Sequence, residues 1–163
     1  MYVPRRLQEN FNISEERYGS NVLVKGVLYC CDQHNFNLKY VGRVESGVIN
    51  RKVIHPDDGT VVLDAACIIC GRVIQVFNSN TDGYDGSVGT YKTLSTPAQN
   101  DFTCSKCSTR AFSVDVTFEY QTKEELEEEG VLDYENAFSW IWITVTCMSC
   151  GRKHKNLIDM ELS

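Results

Sequence analysis

The sequence predicts a mainly β protein made of two β units, with one short helix inserted in the second unit. Three observations support this prediction: several segments alternate between apolar and polar residues, cysteines recur in closely spaced pairs, and one strong helix signature follows residue 121. The chain has 163 residues, which suffices for one domain or two small ones. It is 42% hydrophobic, which is typical of a folded domain and excludes a disordered tail.

The first half of the chain contains a polar segment followed by strand signals. Residues 1–20 are polar with scattered apolar side chains and predict a short helix or an extended arm. Residues 21–29 combine valines and leucines with few polar residues and predict a strand. Residues 55–59, His-Pro-Asp-Asp-Gly, predict a turn. Between these segments a further strand is predicted by three apolar side chains at alternate positions: Phe36, Leu38 and Tyr40.

The second half of the chain begins with a long strand and a helix. Thr122 and Glu125 form a capping-box signature, and Gly130 is a stop signal, so a short helix is predicted over residues 123–129. Before the helix, strict alternation places five apolar side chains on one strand face: Phe112, Val114, Val116, Phe118 and Tyr120.

Another strand is predicted over residues 138–146. Trp140 and Trp142 lie on one of its faces, and the other face carries aliphatic residues. Apolar residues on both faces predict a central strand that is covered on both sides, one of them by the other unit.

Turn-forming residues separate the two halves of the chain. Residues 78–89 are rich in Gly, Ser, Asn and Asp, which is typical of a linker. We therefore divide the chain into an N-terminal arm and first strand (1–28), a first unit (29–78), a linker (79–100) and a second unit with an acidic helical insertion (101–163).

Eight cysteines carry the strongest chemical signal. Six of them form three Cys-x-x-Cys pairs: Cys67 and Cys70, Cys104 and Cys107, Cys147 and Cys150. Cys30 and Cys31 are adjacent, and Cys31-Asp-Gln-His34 repeats the two-residue gap with a histidine. That gap lets a tight turn aim two side chains at one tetrahedral Zn²⁺. Gly71 and Gly151 follow two of the pairs and can adopt the positive φ that such a turn requires.

The spacing predicts two ligand sets and two Zn²⁺ ions. The sets are Cys31, His34, Cys67 and Cys70 for the first ion, and Cys104, Cys107, Cys147 and Cys150 for the second. Cys30 is left over, and it is either a small buried apolar side chain or a substitute ligand for Cys31 or His34. The even number of cysteines also allows a disulfide scaffold, which requires an oxidising compartment. We expect a cytoplasmic protein, because the first residues lack a signal-peptide core and no apolar run approaches the roughly 20 residues of a membrane span.

The order of ligand pairs and strands recurs along the chain. The two pairs of each unit begin 36 residues apart in the first unit (Cys31 to Cys67) and 43 in the second (Cys104 to Cys147), which carries the predicted helix as an insertion. Two metal knuckles joined by β-strands resemble the zinc-ribbon class of domains. The resemblance covers residues 29–78 and 101–162, and it implies a tandem, internally duplicated protein in which both zinc ions are structural.

The motifs of known zinc enzymes are absent from the sequence. It contains no His-Glu-x-x-His, no cysteine pair follows a proline, and no histidine is followed two residues later by a glutamate. Eight protein ligands for two ions leave no open coordination position for a substrate or water. We therefore predict no enzyme activity, and a non-catalytic protein-interaction or regulatory module instead.

The charge distribution favours a protein partner with a basic surface. The net charge is −6, which disfavours a sequence-independent nucleic-acid binder that relies on a basic surface. Five acidic residues are concentrated in the predicted helix: Glu124, Glu125, Glu127, Glu128 and Glu129.

Two alternatives remain open at this point. Arg152, Lys153 and Lys155 form a basic cluster after the last cysteine pair, which favours contact with single-stranded nucleic acid at that knuckle. The other alternative is a thiol-redox or zinc-release sensor, in which Cys30 is oxidised first.

Overall fold

A computed structural model describes residues 1–46, 52–87 and 98–162 of the chain. The described part is mainly β, which confirms the predicted fold class. Residues 88–97 of the predicted linker lie outside the described residues. Within the described residues, no helix is both long and apolar enough to cross a membrane.

Eleven strands and a few short helices make up the described part of the chain. The strands are β1 (Phe11–Tyr18), β2 (Val22–Leu28), β3 (Phe36–Val41), β4 (Arg43–Ser46), β5 (Lys52–His55), β6 (Val62–Cys67), β7 (Val73–Asn78), β8 (Asn100–Asp101), β9 (Ala111–Tyr120), β10 (Trp140–Cys147) and β11 (Lys153–Glu161). The α-helices are α1 (Gly83–Ser87) and α2 (Lys123–Glu128), and 3₁₀ turns span Arg5–Asn10 and Tyr134–Asn136.

Strand β9 organises a nine-stranded antiparallel sheet. One edge of β9 pairs with β10, which in turn pairs with β11. The opposite edge pairs first with β3 and then, further along, with β2. β3 leads on to β6 and β7, and β2 leads on to β1, while β4 and β5 form a separate hairpin. The predicted two units therefore contribute strands to one sheet.

The main hydrophobic core of the described residues lies against one face of this sheet, and Leu126, Val131 and Ala137 form a smaller separate cluster. Every second side chain of β9 is fully buried, from Phe112 to Tyr120, which confirms the alternation seen in the sequence. The main core also contains Leu38 and Leu63 of the first unit and Ile141 of the second. Burial of apolar side chains from both halves of the chain in one cluster stabilises them together.

The N-terminal segment differs in part from the prediction. Residues Arg5–Asn10 form the expected short helical segment, but β1 follows as a strand that pairs with β2. Its residues after Phe11 are exposed, so β1 lacks the apolar alternation by which strands are recognised in sequence. Arg6 anchors the segment through two hydrogen bonds to the carboxylate of Asp82, which is 1% exposed.

The predicted helix and turn are both confirmed. The hydroxyl of Thr122 accepts a hydrogen bond from the N–H of Glu125, whose carboxylate accepts one from the N–H of Thr122. This reciprocal capping begins α2, and Gly130 with φ of 81° follows its end. The turn after β5 closes through backbone hydrogen bonds between Asp57 and Thr60.

Strand β10 is covered on one face only, which corrects the predicted central strand covered on both. Ile141, Ile143 and Val145 point into the core. Trp140 and Trp142 are half-buried on the opposite face, where their rings stack with centroids 5.5 Å apart. The tryptophan face therefore borders solvent rather than the other unit.

Candidate metal centres

The second cysteine cluster contains the four residues that the sequence predicts. The sulfur atoms of Cys104, Cys107, Cys147 and Cys150 all lie within 4.8 Å of one another. The Cys104–Cys150 distance is 3.6 Å and the Cys107–Cys147 distance is 3.5 Å. A tetrahedral Zn²⁺ with Zn–S bonds of about 2.3 Å requires sulfur–sulfur distances of about 3.8 Å. The four thiols therefore fit one zinc ion.

The first cluster contains Cys30, Cys31, Cys67 and Cys70. The sulfur of Cys30 lies 3.9 Å from that of Cys31 and 3.6 Å from that of Cys70, again close to the edge of a zinc tetrahedron. Of the two alternatives that the sequence left open, the geometry matches the one in which Cys30 replaces His34. The ring Nδ1 of His34 lies 2.9 Å from the carbonyl oxygen of Leu28, and His34 is not part of the cluster.

The backbone of the first turn explains this exchange of ligands. Cys31 and Asp32 both have positive φ, 53° and 55°, and the N–H and C=O groups of Cys30 and Gln33 bond to each other across them. This geometry is a tight two-residue hairpin turn that non-glycine residues rarely form. It brings the adjacent side chains of Cys30 and Cys31 to the same point.

The three Cys-x-x-Cys turns share one backbone geometry. In each, the N–H of the residue after the second cysteine donates to the carbonyl of the first cysteine, with an N···O distance of 2.9 Å. The donor residues have positive φ: 74° at Gly71, 73° at Gly151 and 61° at Ser108. The glycines are therefore used for backbone conformation, as predicted, and Ser108 adopts the same conformation with a side chain.

Two polar residues that the sequence analysis missed contact the sulfur atoms. The side-chain amide of Gln33 donates to the sulfur of Cys67 at 3.2 Å. The hydroxyl of Thr109 lies 3.1 Å from the sulfur of Cys147 and 3.0 Å from that of Cys107. Gln33 lies inside the predicted Cys31–His34 pair, and Thr109 follows Cys107 by two residues. Hydrogen bonds of this kind stabilise thiolates.

Hydrogen bonds and burial shift the pKa values of individual thiols in opposite directions. The N–H of Cys70 is the main cause that lowers the pKa of Cys67 to about 6. Cys147 is buried, but donors that include the Thr109 hydroxyl outweigh the burial and lower its pKa to about 6. Burial raises the pKa of Cys30 to about 12. Four such close thiols ionise together only beside a cation, and zinc deprotonates its thiol ligands outright.

The structure does not support the two other uses considered for the cysteines, a disulfide scaffold and a thiol-redox sensor. All eight cysteines are free, and the sulfur–sulfur contacts of 3.5–3.9 Å are far longer than a disulfide bond. The redox alternative requires Cys30 to react first, but this side chain is buried beside the other three cysteines of its cluster, which restricts the access of an oxidant.

The predicted interaction residues lie on two separate surfaces. All five glutamates of α2 and its C-cap are exposed, although Glu125 caps the helix, Glu127 pairs with Lys123, and Glu129 accepts a hydrogen bond from Tyr84.

The basic residues after the last cysteine lie at and just before the start of β11, where successive side chains point to opposite faces of the sheet. Lys153 and Lys155 are exposed, and His154 between them is fully buried against Phe102 and Phe112. Arg152 is half-buried, and its carbonyl accepts the N–H of Cys147. The two lysines thus face the same side as Trp142, away from the core.

The two clusters are metal centres of the closed, four-thiol kind. Comparison of the chain with protein-family models, with curated proteins and with solved structures found no match.

Proposed function

We propose that the chain is a non-catalytic protein-interaction or regulatory module whose two zinc ions are structural. Each cluster offers four thiols to one ion, which supports closed sites without a position for substrate. The free thiols support a reducing compartment such as the cytoplasm. The exposed surface is then the functional part of the molecule, and its apolar portion carries the proposal.

The turn of the first Cys-x-x-Cys pair and the first residue of β7 expose three large aliphatic side chains. Ile68 is 47% exposed, Ile69 is 65% exposed and Val73 is 62% exposed. We call these three residues the apolar tip. Single exposed apolar residues are common on protein surfaces, but a group of them on a rigid turn and the strand that follows it is typical of a protein-binding site. The turn is rigid because its ends are held by the metal ligands Cys67 and Cys70.

Negative charge supports a partner that also has basic residues. The chain carries a net charge of −6. On α2, Glu124 and Glu128 are exposed and have no side-chain partner within the described residues. Complementary charge increases the association rate and the specificity more than it increases the final affinity.

Affinity purification with matched variants tests the proposal. The tagged chain is recovered from its own source cells as the wild type, as the Ile69→Ser/Val73→Ser variant and as the Leu132→Ser variant. Leu132 is 93% exposed and lies outside the zinc turns, so it controls for a general loss of surface apolarity. We expect the same partner with the wild type and with Leu132→Ser, and at least about a tenfold loss with the tip variant, which corresponds to roughly 1.4 kcal/mol.

Two results would contradict the proposal. One is a set of bound proteins that the tip variant retains unchanged. The other is a wild-type chain that retains nothing above the background of the empty tag. Zinc content and circular dichroism of each variant verify that the fold is intact, because a misfolded variant would also lose its partners.

A further inference from the structure

We propose that the open face of the sheet, beside Trp142, binds single-stranded nucleic acid. The outward side chains of β2, β9, β10 and β11 enclose a cleft of about 600 Å³. Lys25, Trp142, Lys153 and Lys155 line it, together with the hydroxyls of Thr117 and Thr144. This face lies opposite the core, and neither zinc cluster contributes a ligand to it.

The charge of the cleft is opposite to that of the whole chain. Three lysines and one carboxylate, Asp115, line it, which gives a local excess of two positive charges in a chain of net charge −6. Lys25, Lys153 and Lys155 are exposed and form no ion pair with any residue in the described ranges. Unneutralised cations in a concave site attract an anionic ligand.

The groove continues past the cleft toward the edge of the sheet. A second cleft of about 330 Å³ shares Lys25, Thr117 and Trp142 with the first. It adds Arg17 and Glu15, which pair with each other at 2.8 Å and leave the local excess at two positive charges. The combined groove crosses five strands, from β1 to β11, which is about 19 Å at the usual strand spacing. A groove of this length accommodates several linked anionic groups and is much longer than one phosphate.

A flat aromatic surface lies at the centre of the groove. Trp142 belongs to both clefts and is half-buried, so one part of its ring remains accessible. Its other side stacks on Trp140 with an interplanar angle of 12°, and the indole N–H of Trp140 donates to Asp159 at 2.7 Å. Trp142 is therefore held in place before any ligand binds, which reduces the entropic cost of stacking on it.

The unpaired lysines and the accessible ring of Trp142 together indicate the class of ligand. Single-stranded nucleic acid combines phosphates, which lysines bind, with unstacked bases, which stack on an exposed indole. A duplex keeps its bases stacked on each other and cannot offer one to a ring in the floor of a groove. An acidic peptide satisfies the lysines but makes no use of the tryptophan pair.

Tryptophan fluorescence and anisotropy titrations test the proposal directly. The chain has two tryptophans, both on this face, so a base that stacks on Trp142 quenches the intrinsic emission. Zinc-loaded full-length protein is titrated with fluorescein-labelled 12-nucleotide single strands of DNA and RNA in 50 mM salt. We expect micromolar binding, quenching, and a slope of log K against log salt of about −2, since each neutralised phosphate of a single strand contributes about −0.7.

Three variants separate the contributions of charge and stacking. Lys153→Gln/Lys155→Gln should weaken binding at least about tenfold and make the salt slope shallower by about 1.4, because two phosphate contacts are lost. Trp142→Leu should weaken binding about 5- to 100-fold and leave the salt slope unchanged. Lys39→Gln/Lys123→Gln removes the same charge from exposed positions outside both clefts and should bind like the wild type.

The proposal is wrong if the wild type shows no saturable binding at 50 mM salt, or if the control double variant loses as much affinity as Lys153→Gln/Lys155→Gln. Equal competition by a duplex of the same length or by a poly-glutamate peptide would also overturn it. If Trp142→Leu fails to fold, the two lysine variants still decide the result, since their substitutions lie at exposed positions.

Discussion

Phe36 of β3 lies directly opposite Phe112 of β9, and each is paired on its other edge with a zinc-cluster cysteine. Cys67 of β6 is the strand partner of Phe36, and Cys147 of β10 is the strand partner of Phe112. All four residues are buried on the same face. Three strand spacings separate the two cysteines, or about 14 Å. One buried row of paired residues therefore connects the two metal centres.

From this row we predict that loss of the second zinc ion destabilises strands β3 and β6 of the first unit. Cys147→Ser removes one ligand, and structural zinc contributes roughly 10–16 kcal/mol of apparent binding free energy near pH 7. We expect faster hydrogen exchange of the amides in β3 and β6 as well as in β9 and β10. Met148→Ser, an exposed residue of the same turn, is the control. Unchanged exchange in β3 and β6 would show that the centres unfold independently.

The assignment of ligands at the first centre predicts different zinc contents for two variants. Cys30→Ser removes a thiol of the cluster and should retain one zinc ion per chain. His34→Gln changes a residue outside the cluster and should retain two. Native mass spectrometry of the reduced protein measures both. The opposite result, with zinc lost from His34→Gln and kept by Cys30→Ser, would return His34 to the ligand set.

The Arg6–Asp82 pair predicts a large effect of a substitution far from the metal. Asp82 is buried, so Arg6→Met leaves its carboxylate without the guanidinium that neutralises it. We expect the free energy of unfolding to decrease by about 2 to 3 kcal/mol, because an uncompensated buried charge is costly.

The exposed Arg17–Glu15 pair provides a matched control for this prediction. Arg17→Met should cost less than about 1 kcal/mol, since exposed ion pairs contribute little to stability. Urea unfolding of zinc-loaded protein measures both values. Equal losses for the two variants would contradict a special role of Asp82.

Burial of His154 predicts a pH dependence of stability. Burial is the main cause that lowers the pKa of His154 in the folded protein, so the unfolded chain binds this proton more readily. The contribution of His154 to stability is full above pH 6.5 and is lost as the pH falls below that value. The slope is at most about 1.4 kcal/mol per pH unit for one proton.

The comparison with His154→Phe isolates this contribution. Phenylalanine keeps an aromatic ring beside Phe102 and Phe112 and does not titrate, so the variant should show a shallower decrease of stability between pH 7.5 and pH 5.5. Zinc content is measured at every pH, because thiolate ligands also take up protons in acid. Identical pH slopes for the two proteins would contradict the prediction.

Local signals in the sequence were sufficient for some elements. Strand β9 could be predicted from its alternating apolar residues, because one of its faces packs in the hydrophobic core and the other is open. The helix α2 is specified by its own capping residues, Thr122 and Glu125. The second metal centre follows from the Cys-x-x-Cys spacing alone, since each pair forms a self-contained turn.

Other features depend on conformations or neighbours that the sequence does not encode locally. Positive φ at Cys31 and Asp32 directs Cys30 to the metal in place of His34. Aspartate adopts positive φ more often than most residues, but cysteine gives no signal for two such residues in succession. The Trp140 and Trp142 face is apolar in sequence, but it borders solvent because the sheet folds its other side around the core. The internal duplication and the predicted domain boundaries stay predictions.

The position of β1 has a consequence for the behaviour of the protein in concentrated solution. It is the terminal strand of its branch of the sheet, and within the described residues its outer backbone groups have no neighbouring strand. Glu15, Glu16 and Arg17 place ionic side chains along this edge. A second molecule that added a strand here would have to desolvate those charges, which opposes fibre formation. Replacing these charged residues with neutral ones would leave an edge strand to which β1 of a second molecule could pair.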